Sequence, residues 1–170
     1  MKLPNRSVPV SLSVIAEKVA RYPHNAFLLN EFGNQLLEAG RVNEAELRYR
    51  QAVDIDPQFV MAWNNLGVAR SALGKLKGAK GAYERAVRIS PTYALAYYNL
   101  GVAHDAMGHY EKAVKNYERA IQLDPGLLNP RNNPQIASNR HLPAVLLQAY
   151  MDRGGSFVQP IQSAYPRPVR

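Results

Sequence analysis

The chain has 170 residues, a formal net charge of +8 and 46% hydrophobic residues, a composition that suits one soluble domain with a continuous apolar core. It contains no cysteine, which excludes disulfides, a thiol nucleophile and a cysteine metal site. No apolar run approaches the roughly 18 residues of a membrane span, and Ser and Pro interrupt the N-terminal stretch, so we expect a cytoplasmic or otherwise soluble protein without a signal peptide.

The first segment, residues 1–25, carries helical spacing in Val14, Ile15 and Val19 and ends at Pro23. This spacing predicts one helix over residues 8–22. We interpret it as the second helix of a truncated repeat, an N-terminal capping helix that covers the apolar face of the unit after it.

Three segments of equal length follow, and Pro57, Pro91 and Pro125 stand 34 residues apart at their ends. A fixed period of this size is typical of stacked helical hairpins. We define the three repeats as residues 26–59, 60–93 and 94–127.

Each repeat carries the same residue types at the same places. Glycine at the eighth position is Gly33, Gly67 and Gly101, glycine at the fifteenth is Gly40, Gly74 and Gly108, and tyrosine at the twenty-fourth is Tyr49, Tyr83 and Tyr117. The eighth position lacks a side chain, which would let two helix backbones approach closely. The glycine at the fifteenth position can adopt a positive φ and so end the first helix of the repeat, and the proline ends the second helix. Each repeat is therefore predicted to be helix, tight turn, helix.

The second repeat resembles the tetratricopeptide signature almost in full, through Trp63, Leu66, Gly67, Ala79, Tyr83, Ala86 and Pro91. The repeats depart from the signature at the eleventh position, where the family usually has Tyr. That position holds Leu36 in the first repeat, Arg70 in the second and His104 in the third, and we expect local repacking there. The resemblance implies an all-α fold, an α-solenoid of antiparallel helix hairpins with helical caps at both ends.

The period fails after Pro125. Residues 128–153 predict a loop rich in Gly, Asn and Pro and then a C-terminal capping helix, with Pro143 near its first turn. Residues 154–170 contain further prolines and no periodicity, which indicates a flexible tail.

Proteins with this resemblance generally bind other proteins in a concave groove lined by the first helix of each repeat. The resemblance thus implies a non-catalytic scaffold, adaptor or assembly factor that receives a peptide segment or helix of a partner. The positions that face or edge this groove in the family hold Phe27, Asn30, Asn34, Met61, Asn64, Asn65, Val68, Leu95, Tyr98, Asn99, Val102 and Asp105.

Two kinds of groove residue have two interpretations each. Asn65 and Asn99 occupy equivalent sixth positions, where they either form a row that hydrogen-bonds a peptide backbone or contact the adjacent helix. Phe27, Met61 and Tyr98 either anchor apolar side chains of a ligand or pack against a neighbouring helix.

Some family members hold acidic chaperone tails with a cluster of basic groove residues. Here Asn30, Leu95 and Asn99 stand where those basic residues would be. We therefore expect a weak grip on a terminal carboxylate and disfavour a heat-shock chaperone cofactor.

The positive charge offers a second class of function. A basic patch lies along Lys75, Lys77, Lys80, Arg85 and Arg88, offset in this stretch by Glu84. This patch has two interpretations. It either binds nucleic acid or another anionic surface, or it is a helix face exposed to solvent with no binding role. Aromatic residues are not interleaved with it, so nucleic acid is the less favoured partner. A third class, a self-assembling scaffold, would place a tail or cap helix of one molecule in the groove of another.

We do not expect a nucleotide site, a metal site or a catalytic site. The glycines and lysines of residues 74–81 lack the phosphate-loop spacing. His104, Asp105 and His109 suggest a metal, but their places in the repeat do not require their side chains to converge. We expect no metal, no cofactor and no enzymatic activity.

Overall fold

The computed structural model describes residues 10–128, and within this range helices are joined by short turns, with no strand. The helices are α1 Val10–Arg21, α2 Ala26–Glu38, α3 Val42–Ile55, α4 Val60–Ala72, α5 Leu76–Ile89, α6 Ala94–Ala106 and α7 Tyr110–Leu123, followed by a 3-10 turn at Pro125–Leu128. The expected all-α solenoid is confirmed. The expected C-terminal loop, capping helix and tail, and the first nine residues, lie outside the described range.

Each helix packs on the next, so α2 with α3, α4 with α5 and α6 with α7 form three antiparallel hairpins. Across hairpins, α2 contacts α4 and α4 contacts α6, whereas α3, α5 and α7 approach one another less closely. The stack therefore curves with α2, α4 and α6 on its inner side. We call these the inner helices and α3, α5 and α7 the outer helices.

Helix α1 packs on α2 and contributes to the core of the first hairpin. Its buried residues are Leu12 and Ile15, whereas Val14, expected on the apolar face, is 46% exposed. No helix among residues 10–128 has the length and apolar character needed to cross a membrane.

The turn inside each hairpin is set by a glycine. Gly40, Gly74 and Gly108 have φ angles of 74°, 72° and 76°. At the first of them, the N–H of Arg41 donates to the carbonyl of Leu36 at 2.8 Å and the N–H of Gly40 donates to that of Leu37 at 3.0 Å. This is the Schellman arrangement, which satisfies carbonyls left open at the end of a helix, and it confirms the predicted turn.

The glycine at the eighth position lies against a tyrosine of the outer helix. A Cβ atom at Gly33 would lie only 2.5 Å from Cε1 of Tyr49, and one at Gly101 would lie 2.6 Å from Cε1 of Tyr117. Both tyrosines are almost completely buried. The missing side chain therefore makes room for a tyrosine ring of the outer helix.

The departure at Arg70 is matched by a glycine opposite it. The guanidinium Nη1 donates to the carbonyl of Gly78 at 3.3 Å, and a Cβ atom at Gly78 would lie 3.2 Å from Cδ of Arg70. The long side chain thus lies along the start of α5. This is the local repacking expected at the eleventh position.

Gly33→Ala should destabilise the protein by about 1–3 kcal/mol, because its methyl group would overlap the buried ring of Tyr49. Gly81→Ala is the matched control, since that helical glycine is exposed and its added Cβ would meet nothing within 4 Å. It should stabilise the protein by about 1 kcal/mol through helix propensity. Urea unfolding measures both; equal effects of the two substitutions would contradict this packing.

Candidate interaction surface

One face of each inner helix forms the candidate interaction surface. The face follows the i, i+4, i+7, i+11 spacing of a helical stripe. We define the inner surface by these residues: Phe27, Glu31, Asn34 and Glu38 of α2; Met61, Asn65, Val68 and Ala72 of α4; and Leu95, Asn99, Val102 and Ala106 of α6.

An apolar row crosses the first turns of the inner helices. Phe27 is 59% exposed and Met61 is 47% exposed, and the equivalent Leu95 is half-buried. These residues occupy the second position of consecutive repeats. Their side chains are therefore presented side by side on neighbouring helices, with Phe27 and Met61 open to water.

The asparagines of α2 and α4 bond to one another. Nδ2 of Asn65 donates to Oδ1 of Asn30 at 3.0 Å and to Oδ1 of Asn34 at 3.1 Å. The hydroxyl of Tyr49 also donates to Oδ1 of Asn34, at 2.9 Å. Because the amide nitrogen of Asn65 has two hydrogens, both are used within the protein.

The same pattern continues to α6. Nδ2 of Asn99 donates to Oδ1 of Asn64 at 2.9 Å, and both residues are buried. Asn64 in turn makes a longer contact with Oδ1 of Asn65, at 3.4 Å. A chain of amides thus joins α2, α4 and α6. The structure agrees with the second interpretation of Asn65 and Asn99, in which their side chains contact the adjacent helix.

Tyr98 does not lie on the open surface. It is only 2% exposed, and its ring packs against that of Tyr117 with centroids 5.6 Å apart. Of the two interpretations of Tyr98, the structure agrees with packing against a neighbouring helix. The fifth position is buried in all three repeats, since Asn30 is 5% and Asn64 is 2% exposed; only the family resemblance places it at the groove.

Acidic side chains lie on the inner surface of α2. Glu31 accepts a hydrogen bond from Nδ2 of Asn34 at 3.1 Å. Burial, and then the nearby charges of Glu31 and Glu38, raise the pKa of the Tyr49 hydroxyl. Neither carboxylate forms an ion pair with a described residue. Asp105, on α6, is half-buried.

The basic patch is partly neutralised. Nζ of Lys75 lies 2.6 Å from Oε2 of Glu46, and Lys80 pairs with Glu84 at 3.2 Å. Arg85 lies over the ring of Trp63, 6.0 Å from its centroid. Lys77 and Arg88 are exposed.

Glu46 is the residue that the sequence analysis missed. This buried glutamate on α3 also pairs with Arg50 at 2.8 Å and Arg70 at 3.3 Å. Burial raises the pKa of its carboxyl, but hydrogen bonds from Lys75 and Arg70 outweigh burial and hold the pKa below the usual value. Its link to Lys75 depends on the stacking of two hairpins, which local sequence does not display.

The rings of His104 and His109 come together, with centroids 5.7 Å apart, although their repeat positions did not require it. His104 is buried, and its Nδ1 atom has no hydrogen-bond partner. Residues 10–128 hold no group of three or more side chains suited to a metal ion. This pair is better understood as a packing feature with a pH dependence.

His104 should make the protein less stable below pH 6.5. Burial, and then the charges of Lys80, His109 and Lys112, lower its pKa from the ordinary value of 6.5. Below that pH the unfolded chain binds a proton that the folded chain does not, so stability falls with pH until the folded pKa is passed. The slope from this group is at most about 1.4 kcal/mol per pH unit.

His104→Leu, which copies the buried Leu36 of the first repeat, should flatten this part of the stability profile. Urea unfolding between pH 7 and pH 5 measures the difference. An unchanged slope in the variant would contradict the role of His104.

Comparisons with known proteins agree with this architecture. The tetratricopeptide repeat family model matches residues 94–127, and a second TPR repeat model matches residues 33–74 and 69–108. No curated protein matches the chain in sequence.

Solved structures have the same fold. MamA is 27% identical with a TM-score of 0.65, and the match covers 85% of this chain and 78% of that one. The first TPR domain of Spaghetti (RPAP3), bound to the HSP90 peptide SRMEEVD, is 33% identical with a TM-score of 0.59, covering 59% and 80% of the two chains. The OM64 TPR domain of Arabidopsis, at 22% identity and a TM-score of 0.58, covers 59% and 83% and shows the likeness of fold alone. Together with the periodic glycines and tyrosines, these matches establish that the chain belongs to the tetratricopeptide repeat family.

Proposed function

We propose that this protein is a non-catalytic interaction scaffold or adaptor that binds an extended segment or a helix of a partner protein on its inner surface. The observation that carries the proposal is the exposure of Phe27 and Met61, 59% and 47%, at equivalent places on consecutive inner helices. Aromatic side chains and adaptable methionines are frequent anchors of protein interfaces.

The energetics favour an apolar ligand. Removing a whole Phe or Met side chain from water contributes about 1.5–3 kcal/mol, and about half of each of Phe27 and Met61 is still exposed for a ligand to cover. The amides of Asn65 and Asn99 contribute less to a ligand, because their N–H groups already donate within the protein. Affinity should therefore come from Phe27 and Met61.

The RPAP3 domain supports a peptide as the class of ligand, since it holds the peptide SRMEEVD. That peptide ends in acidic residues, whereas the inner surface here carries Glu31 and Glu38. Like charges disfavour such a ligand. We therefore propose a partner segment without this acidic character.

The double variant Phe27→Ser, Met61→Ser should lose its partner, with affinity reduced tenfold or more, since burying the exposed halves of the two anchors contributes about 1.5–3 kcal/mol together. The matched control is Leu47→Ser with Ile55→Ser, which removes two apolar side chains, 46% and 40% exposed, from the outer helix α3. Affinity capture from the native lysate with quantitative mass spectrometry compares the three proteins, after circular dichroism has established that each is folded.

Proteins captured by the wild type and the control, but not by the double variant, would support the proposal. Capture that survives in the double variant, or that is lost equally in the control, would contradict it. Recovery of nucleic acid that salt abolishes and that neither variant changes would instead favour Lys77 and Arg88 of the basic patch.

A further inference from the structure

We propose that residues 156–170 of this same chain occupy the inner surface until a partner displaces them. The segment lies outside the described residues, and its sequence is SFVQPIQSAYPRPVR. The inference rests on the inner surface being a binding surface, and adds that the chain supplies its own competing ligand.

Charge is distributed unevenly along the inner surface. At the last position of each stripe α2 has Glu38, whereas α4 has Ala72 and α6 has Ala106. One turn earlier α4 and α6 have Val68 and Val102. At these two positions the surface is thus polar or acidic at α2 and apolar at α4 and α6, with the half-buried Asp105 next to them on α6, in a protein whose net charge is +8. A complementary ligand is apolar at one end and basic at the other.

The segment 156–170 has this order of residues. Phe157, Ile161 and Tyr165 recur at every fourth place, Arg167 and Arg170 follow them, and no acidic residue is present. In an extended β conformation residues four apart lie on the same face of the chain and about 13 Å apart. Packed helix axes lie about 8–10 Å apart. Successive apolar side chains of the segment can therefore meet successive inner helices.

The direction of the chain also fits. The described structure ends at the 3-10 turn Pro125–Leu128, which packs on α7. A segment that approaches from there meets α6 first and α2 last, which brings Arg167 and Arg170 towards Glu31 and Glu38.

The connection is long enough for this contact. Even if the expected capping helix takes about half of residues 129–155, the connection still spans about 60 Å, and α6 lies about 20 Å from α2 at ordinary helix spacings.

The tether favours the segment of the same molecule over that of a second copy. Joining a ligand to its site through a connecting chain gives it an effective concentration of the order of mM. A second copy binds only at its concentration in solution. A partner protein must outcompete the tethered segment. The apparent affinity of the partner is then its intrinsic affinity multiplied by the fraction of molecules whose inner surface is free.

The absence of cysteine allows a direct test by disulfide trapping in the full chain. The test pair is Ala72→Cys, exposed on α4, with Ser163→Cys, which lies between Ile161 and Tyr165 and removes neither apolar side chain. The control pair is Gly81→Cys with the same Ser163→Cys. Gly81 is exposed on the outer helix α5 of the same hairpin, and its Cβ would meet no atom within 4 Å.

Under mild oxidation the test pair should form an intramolecular disulfide about tenfold faster than the control pair, because binding holds the two thiols together. Non-reducing electrophoresis and peptide mass spectrometry follow the reaction. Adding Glu31→Lys and Glu38→Lys to the test pair should slow it, since both changes repel the arginines of the segment.

Equal rates in the two pairs would overturn the proposal. A disulfide-linked product of twice the mass, in place of the intramolecular one, would also overturn it, because the segment would then bind a second copy. The readout is contact within one chain, so failure here leaves the proposed partner binding standing. Conversely, loss of partner binding in the Phe27 and Met61 variant tests only the proposed function.

Discussion

The fold depends on one contact repeated in every hairpin, a buried tyrosine ring of the outer helix against a glycine of the inner helix. At Gly33 even a methyl group would come within 2.5 Å of the ring of Tyr49. The contact therefore sets the distance between the two helices and excludes any larger residue at the eighth position. Since interiors are close-packed, a fixed distance in each hairpin also fixes how the hairpins stack.

Stacking brings the inner helices together, and this determines what the inner surface presents. Amides of Asn65 and Asn99 lie close enough to the preceding inner helix to bond to it. Buried polar groups bonded in this way join the repeats without leaving unpaired donors. The inner surface is consequently left with exposed Phe27 and Met61 as its main apolar features and Glu31 and Glu38 as its charges.

The repeating part of the fold could be predicted from the sequence because its determinants recur at fixed places. Gly40 needs a positive φ whatever surrounds it, and Pro57 ends a helix by local chemistry. The candidate site was less predictable. Its details depend on contacts between hairpins, such as that of Glu46 with Lys75. Tyr98 likewise packs against Tyr117 in the last hairpin, and the fifth position that it occupies is buried in every repeat, which the alignment of the repeats alone did not show.

The central claim is that partners bind the inner helices. Replacing Phe27, and in a separate protein the similarly apolar Leu47 of α3, with the photoreactive amino acid benzoylphenylalanine in the native cell tests it without knowledge of the partner. We predict that irradiation yields a covalent adduct with a partner protein from position 27 and none from position 47. Adducts from position 47 alone would contradict the account and move the binding surface to the outer helices.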